Sequence, residues 1–179
     1  MKTYLTYGFA MALAGALLTL VLFFLGYHSD PAKVQTAQWI SIPLLIAITV
    51  ACLVLGSKAR SSELPATEDF GYGRALGTSV MIVLFAALFG VVTNALYTSF
   101  INPGFVDVLV QAQADKLEAK GVSSAQIEQM EKGMRFMMKP PLMAVFNFLG
   151  AMFWGTLIAL ITSAFVRRPA AAEEPPLVA

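Results

Sequence analysis

The chain has 179 residues, 58% hydrophobic and 13% charged, with a mean hydropathy of +0.71. About a quarter of a soluble domain is charged, so an ordinary water-soluble globule is excluded. The net charge of +1 leaves no concentrated basic face to displace counterions, which excludes a nucleic-acid partner, and the single cysteine, Cys52, rules out an intrachain disulfide.

Four uncharged apolar runs cover residues 5–27, 37–56, 76–100 and 142–166. Each exceeds the roughly 18 residues that cross a hydrocarbon core. They predict an all-α membrane protein of four transmembrane helices, with the lipid bilayer as its first partner. The first run is longer than a signal core and no A-x-A pattern follows it, so it is expected to remain as a span. The short loop after it, HSDPAKVQT, carries His28, Asp30 and Lys33 and has the composition of a solvated turn. Pro43 predicts a kink in the second span.

The stretch EDFGYGRALG, residues 68–77, lacks the G-K-[ST] ending and the preceding strand of a phosphate loop. Gly71 and Gly73 relax the chain there, Phe70 and Tyr72 anchor it at the interface, and Arg74 snorkels toward the headgroups as a candidate ligand for a lipid phosphate. Small residues recur every four positions as Gly8, Ala12, Ala16, as Ala86, Gly90, Asn94, and as Asn147, Ala151, Gly155. Such stripes let helix backbones approach closely. The amides of Asn94 and Asn147, placed in hydrocarbon, need a partner or water; they tie the bundle together or line a polar path. Tyr27, Trp39, Tyr97 and Phe100 are expected at one interface and Tyr4, Tyr7 and Tyr72 at the other. Trp154, mid-span, should find an indole partner on a neighbouring helix.

Between the third and fourth spans, residues 103–139 predict a helical hairpin rather than a structureless loop. In its first arm Asn102 is the cap, Pro103 the first helical residue, and Phe105, Val106, Leu109, Val110 and Leu117 the apolar positions. Gly121 ends that arm. Ser123 with Gln126 matches a capping box, and Glu128–Lys132 and Glu131–Arg135 are i,i+4 ion pairs. Ile127, Met130, Met134 and Met137 form one apolar stripe, and Pro140 and Pro141 stop the helix. The stripe suits packing against the first arm, the lipid interface or a sister subunit. Thioethers are also soft donors, so Cu(I) is the alternative occupant. Residues 169–179 are expected to be a disordered tail.

Four spans put both termini on one side, with Lys2, Lys58, Arg60, Arg74, Arg167 and Arg168; the other side holds an equal number of cations. Arg167 and Arg168 abut a span directly, and the central lysines of the long loop lie where the charge bias weakens. Both termini are therefore expected in the cytoplasm and the hairpin outside. No catalytic constellation is present, and no charged residue lies in any of the four runs, which predicts no enzyme, no cofactor and no resident metal. TYGFA before the first span echoes GYGRA before the third, and LIAIT echoes LIALIT, which suggests two related helical pairs.

The chain resembles the bacterial integral membrane proteins grouped as DUF4199. The resemblance rests on FGYGRALG leading into the third span, FINPGFVDVLVQAQADKLEAKGVSSAQIEQMEKG, and the final LGAMFWGTLIALITSAFVRR. The sequence departs from that family by inserting Tyr72-Gly73 in the lead-in. The likeness implies the four-span topology and a bacterial inner-membrane home, and it implies no activity. The expected role is thus structural or accessory: self-association as a homo-oligomer, or docking to a membrane partner, through Phe105, Leu109, Ile127, Met130, Met134 and Met137. The alternative is a small oligomeric transporter or channel lined by Asn94 and Asn147. Metal or lipid binding by the hairpin is third.

Overall fold

A computed structural model describes residues 1–171. In chain order it contains α1 (Lys2–Phe24), α2 (Pro31–Ser62), α3 (Tyr72–Leu96) continued by a π turn (Tyr97–Ile101), α4 (Phe105–Glu118), α5 (Ser124–Met137) and α6 (Pro140–Ser163). Four segments are long and apolar enough to cross a membrane: α1, α2, α3 with its π turn, and α6. The protein is thus an all-helical, multi-pass membrane protein. Most of the tail expected over 169–179 lies outside the described residues; within them, the Ala171 amide donates to the Ala66 carbonyl at 2.9 Å.

The helix ends follow local chemistry. α1 stops at Gly26, whose φ of +80° only glycine adopts cheaply. The Gly26 and Tyr27 amides then donate to the carbonyls of Phe23 and Leu22, the paired bonds of a Schellman cap. α2 begins where the Asp30 carboxylate accepts from the Ala32 amide at 3.0 Å, with Pro31 at the first helical position. It has 32 residues, far more than its apolar run, and continues through Pro43. Lys58 and Arg60 extend it because both are good helix formers.

α3 is the hub, touching α1, α2 and α6. Three glycines make that contact close. A Cβ on Gly8 of α1 would lie 2.7 Å from Phe85 Cβ and 3.0 Å from the Ala86 nitrogen; on Gly56 of α2, 2.5 Å from Ile82 Cδ1; on Gly155 of α6, 2.6 Å from Val83 Cγ1. All three converge on residues 82–86 of α3. There Leu53, Ile82, Val83 and Ala159 form the core, with Tyr4, Tyr7 and Met11 packed on it. Beside it, Ser79 Oγ lies 3.1 Å from Ser57 Oγ and 3.5 Å from Ser163 Oγ, so three fully buried hydroxyls join α2, α3 and α6. At the same end, Phe70 and Arg168 exchange two backbone hydrogen bonds of 2.9 and 3.1 Å, clasping the α2–α3 loop to the chain beyond α6.

Several sequence expectations change between α3 and α6. α4 starts at Phe105, not Pro103, with Gly104 before it. Asn102 does not cap it; its side chain turns inward, as described below. Ser123 does precede α5, but its hydroxyl donates to Gln126 Oε1 at 3.0 Å, and its side chain caps no backbone amide. Lys132 pairs with Glu128 at 2.7 Å as expected. Arg135, by contrast, pairs with Asp107 on α4, so the end of α5 is tied to the start of α4. Pro140 and Pro141 open α6 as its first residues, where their missing amides cost nothing.

Candidate functional site

The α1, α2, α3 and α6 bundle is tight at one end and open at the other. Beyond the three convergent glycines the helices part around a cavity of about 680 Å³. Its wall is mostly apolar, built from Met11, Ala16, Leu45, Val91 and Ile158 among others, with Thr19, Thr49 and Thr93 interspersed. Asn94 and Asn147 both border it. These two amides, from α3 and α6, are brought to one space. Ala12, Gly90 and Ala151 line it too, so these members of the small-residue stripes clear room rather than closing a contact. Leu45, Ile46 and Trp154 border the cavity while remaining 42%, 48% and 65% exposed; the space opens sideways at the level of the lipid. Trp154 does not reach a partner on a neighbouring helix: its ring packs edge-on against Phe153 of its own helix.

A buried polar network caps the far end. Asn102 Nδ2 donates to the His28 carbonyl and to Tyr97 Oη, both at 3.1 Å, and Tyr97 Oη lies 2.8 Å from His28 Nδ1. His28 and Tyr97 border the cavity, and all three residues are buried. Because Tyr97 Oη accepts from Asn102, its own proton is satisfied by donation to His28 Nδ1, which leaves the imidazole proton on Nε2. Burial holds the His28 pKa below its ordinary value, so the ring is neutral near pH 7. Phe105 stacks over His28 at 4.8 Å and meets Tyr97 edge-on at 5.4 Å. The π turn makes the network possible: the Asn102 amide donates to the Tyr97 carbonyl five residues back at 2.8 Å, and the widened turn sets both side chains on one side.

Sequence reasoning missed this cap. It assigned His28 to a solvated turn, Tyr97 to an interfacial belt and Asn102 to a helix cap. The only hint was three polar residues close to the ends of two apolar runs that must meet on one side of the membrane.

The other expected residues are less enclosed. On α4, Phe105 and Leu109 are half-buried and Val110 is fully covered, since α4 rests on α2 and α5. On α5, Ile127 and Met134 are half-buried, whereas Met130, Phe136 and Met137 are exposed. Arg74 is exposed and bound to Glu68 at 2.8 Å and to the Asp69 carbonyl at 3.0 Å. Among the described residues, no group of three or more His, Cys, Asp and Glu side chains is placed to hold a metal.

Residues 6–168 match the model of a family described as "Protein of unknown function (DUF4199)". No curated protein and no solved structure matches the chain.

Proposed function

The chain belongs to the DUF4199 family, and from that premise we propose a non-enzymatic membrane protein that receives a small amphipathic molecule between its spans. Its home in this reading is the bacterial inner membrane, with both termini cytoplasmic and the α4–α5 hairpin outside. The observation that carries the reading is the cavity of about 680 Å³ bordered by Asn94, Asn147 and the His28–Tyr97 pair. That volume is typical of small-molecule sites, which are mostly apolar with a few convergent polar groups. The ligand is mainly hydrocarbon, with one hydrogen-bond acceptor for the amide donors and the His28 Nε2 proton. A lateral opening favours arrival from the lipid. Passage through the bundle, the transporter alternative, would use the same wall.

Trp154 borders the cavity and Trp39 is the chain's only other tryptophan, so the W39F variant reports on the site by fluorescence. A bromine-labelled long-chain alcohol in detergent should quench Trp154 saturably. Gly90→Leu, at a position with nothing within 4 Å of a new Cβ among the described residues, should narrow the space and weaken the saturable quenching. Quenching that never saturates, or that ignores Gly90→Leu, would overturn the reading.

A second observation favours a docking role for the hairpin: no residue of α5 is buried, and Met130 and Met137 are 45% and 52% exposed. Exposed apolar stripes mark interaction surfaces. Self-association or a membrane partner would cover this one. Its test is the assembly mass of the detergent-solubilised protein against a Met130→Glu, Met137→Glu variant; equal monomeric masses with no co-purifying chain would remove it.

A further inference from the structure

A second pocket, of about 330 Å³, lies at the end of the bundle where α2 and α6 finish, away from the polar cap of the cavity. Its walls include Lys58, Ser61 and Ser62 from the last turns of α2, and Phe165, Arg167 and Arg168 beyond α6. Three cations therefore share one small space. Among the described residues none of them has a carboxylate within 4.0 Å, whereas Lys33, Arg60, Arg74, Lys132 and Arg135 each do.

Arg168 is held in place before any ligand arrives. Its backbone is paired with Phe70, and its Nη2 donates to the carbonyls of Leu64, Pro65 and Glu68 at 3.4, 2.9 and 3.4 Å. Among the described residues its Nε is buried without a hydrogen-bond partner. Helix C-termini attract cations by themselves, and Arg167 Nε does donate to the Ala164 carbonyl at 3.0 Å. That effect explains one cation at each helix end; it does not explain three around a pocket. Phe165, 80% exposed, closes the site on the side where a spanning helix ends.

We propose that this pocket binds the phosphate of an anionic phospholipid. Arg168 supplies a fixed guanidinium, Lys58 and Arg167 close on the phosphate from the surface, and Phe165 meets the first acyl carbons. Arginine suits phosphate because its planar donors match the oxygens, and lysine adds a point charge. Arg74 is the poorer candidate because Glu68 already neutralises it. A lipid is favoured over a soluble phosphoester because the pocket adjoins an exposed aromatic ring at the end of a membrane-spanning helix.

The test is native mass spectrometry of the full chain, solubilised with phosphatidylglycerol or with phosphatidylcholine. One phosphatidylglycerol should be retained per chain, at least tenfold more than phosphatidylcholine, and a Lys58→Gln, Arg167→Gln variant should lose that preference. Arg168→Lys, which keeps the charge but loses the fork, should weaken retention less than the double variant. Inorganic phosphate at millimolar concentration should not displace the lipid. Displacement by phosphate, without lipid preference, would overturn the lipid assignment and leave a soluble phosphate site. Equal retention of both lipids with no effect of phosphate would overturn the site altogether.

Discussion

The two halves of the bundle are built from the same kind of sequence and do opposite things. In the half where α1 begins and α6 ends, Gly8, Gly56 and Gly155 press α1, α2 and α6 onto a short segment of α3, where an added methyl would meet atoms at 2.5 to 2.7 Å. In the other half, Gly90 and Gly150 would meet nothing within 4 Å and Gly15 only Leu45 at 3.6 Å. A small residue in a membrane helix therefore marks close packing only when a neighbour arrives to use the space. Where none arrives, the same residue leaves a cavity.

Substitutions that add one methyl should separate the halves by sign. Gly8→Ala is expected to have the largest effect, because its neighbours include the backbone of Ile82 and Ala86 at 3.0 Å and cannot yield. It should cost about 1–3 kcal/mol, read as a lowered thermal midpoint in detergent. Next, Ser79→Ala removes the hydroxyl between Ser57 and Ser163 and should cost about 1–2 kcal/mol, because two buried partners lose a bond; an unchanged midpoint would show that the tight half rests on shape alone. His28 sharpens the other side of the comparison. Its pKa is held below the ordinary value by burial, so the unfolded chain takes up the proton more readily. The stability from neutral His28 is whole above about pH 6.5 and falls as pH drops below it. The midpoint should therefore decline from pH 7.5 to pH 5, and His28→Gln should flatten that decline. Gly90→Ala should move least and in the opposite direction, stabilising α3 by about 0.5–1 kcal/mol. A loss there as large as at Gly8 would mean the cavity is closed in the membrane.

Much of the fold was legible in residue order. Long uncharged runs have one stable solution in lipid, a helix with its backbone bonded to itself, so the four spans could be read directly. The hairpin's ends were less legible because caps compete with distant partners. Asn102 suits a cap by type, but a buried tyrosine and a histidine carbonyl claim its amide. Arg135 has Glu131 four residues before it, yet pairs with Asp107 on the other helix. The cavity was half legible: Asn94 and Asn147 stood out as amides in hydrocarbon, but their sharing of one space depends on how far α6 splays from α3. The echo between TYGFA and GYGRA did not extend to surroundings, since Gly8 is packed against α3 and Gly73 has open space around it. The π turn left no mark in composition, because five residues widening a helix need no special side chain.

The clasp between Phe70 and Arg168 bears on how the molecule is made. These residues lie almost a hundred positions apart, and the later one emerges from the ribosome only after α6 has been synthesised. Until then the face of α3 that receives Gly155 is bare, and the loop before α3 has nothing to fasten to. A nascent chain halted before α6 should remain an open three-helix intermediate, vulnerable to membrane proteases, and assembly should lock in a single late step.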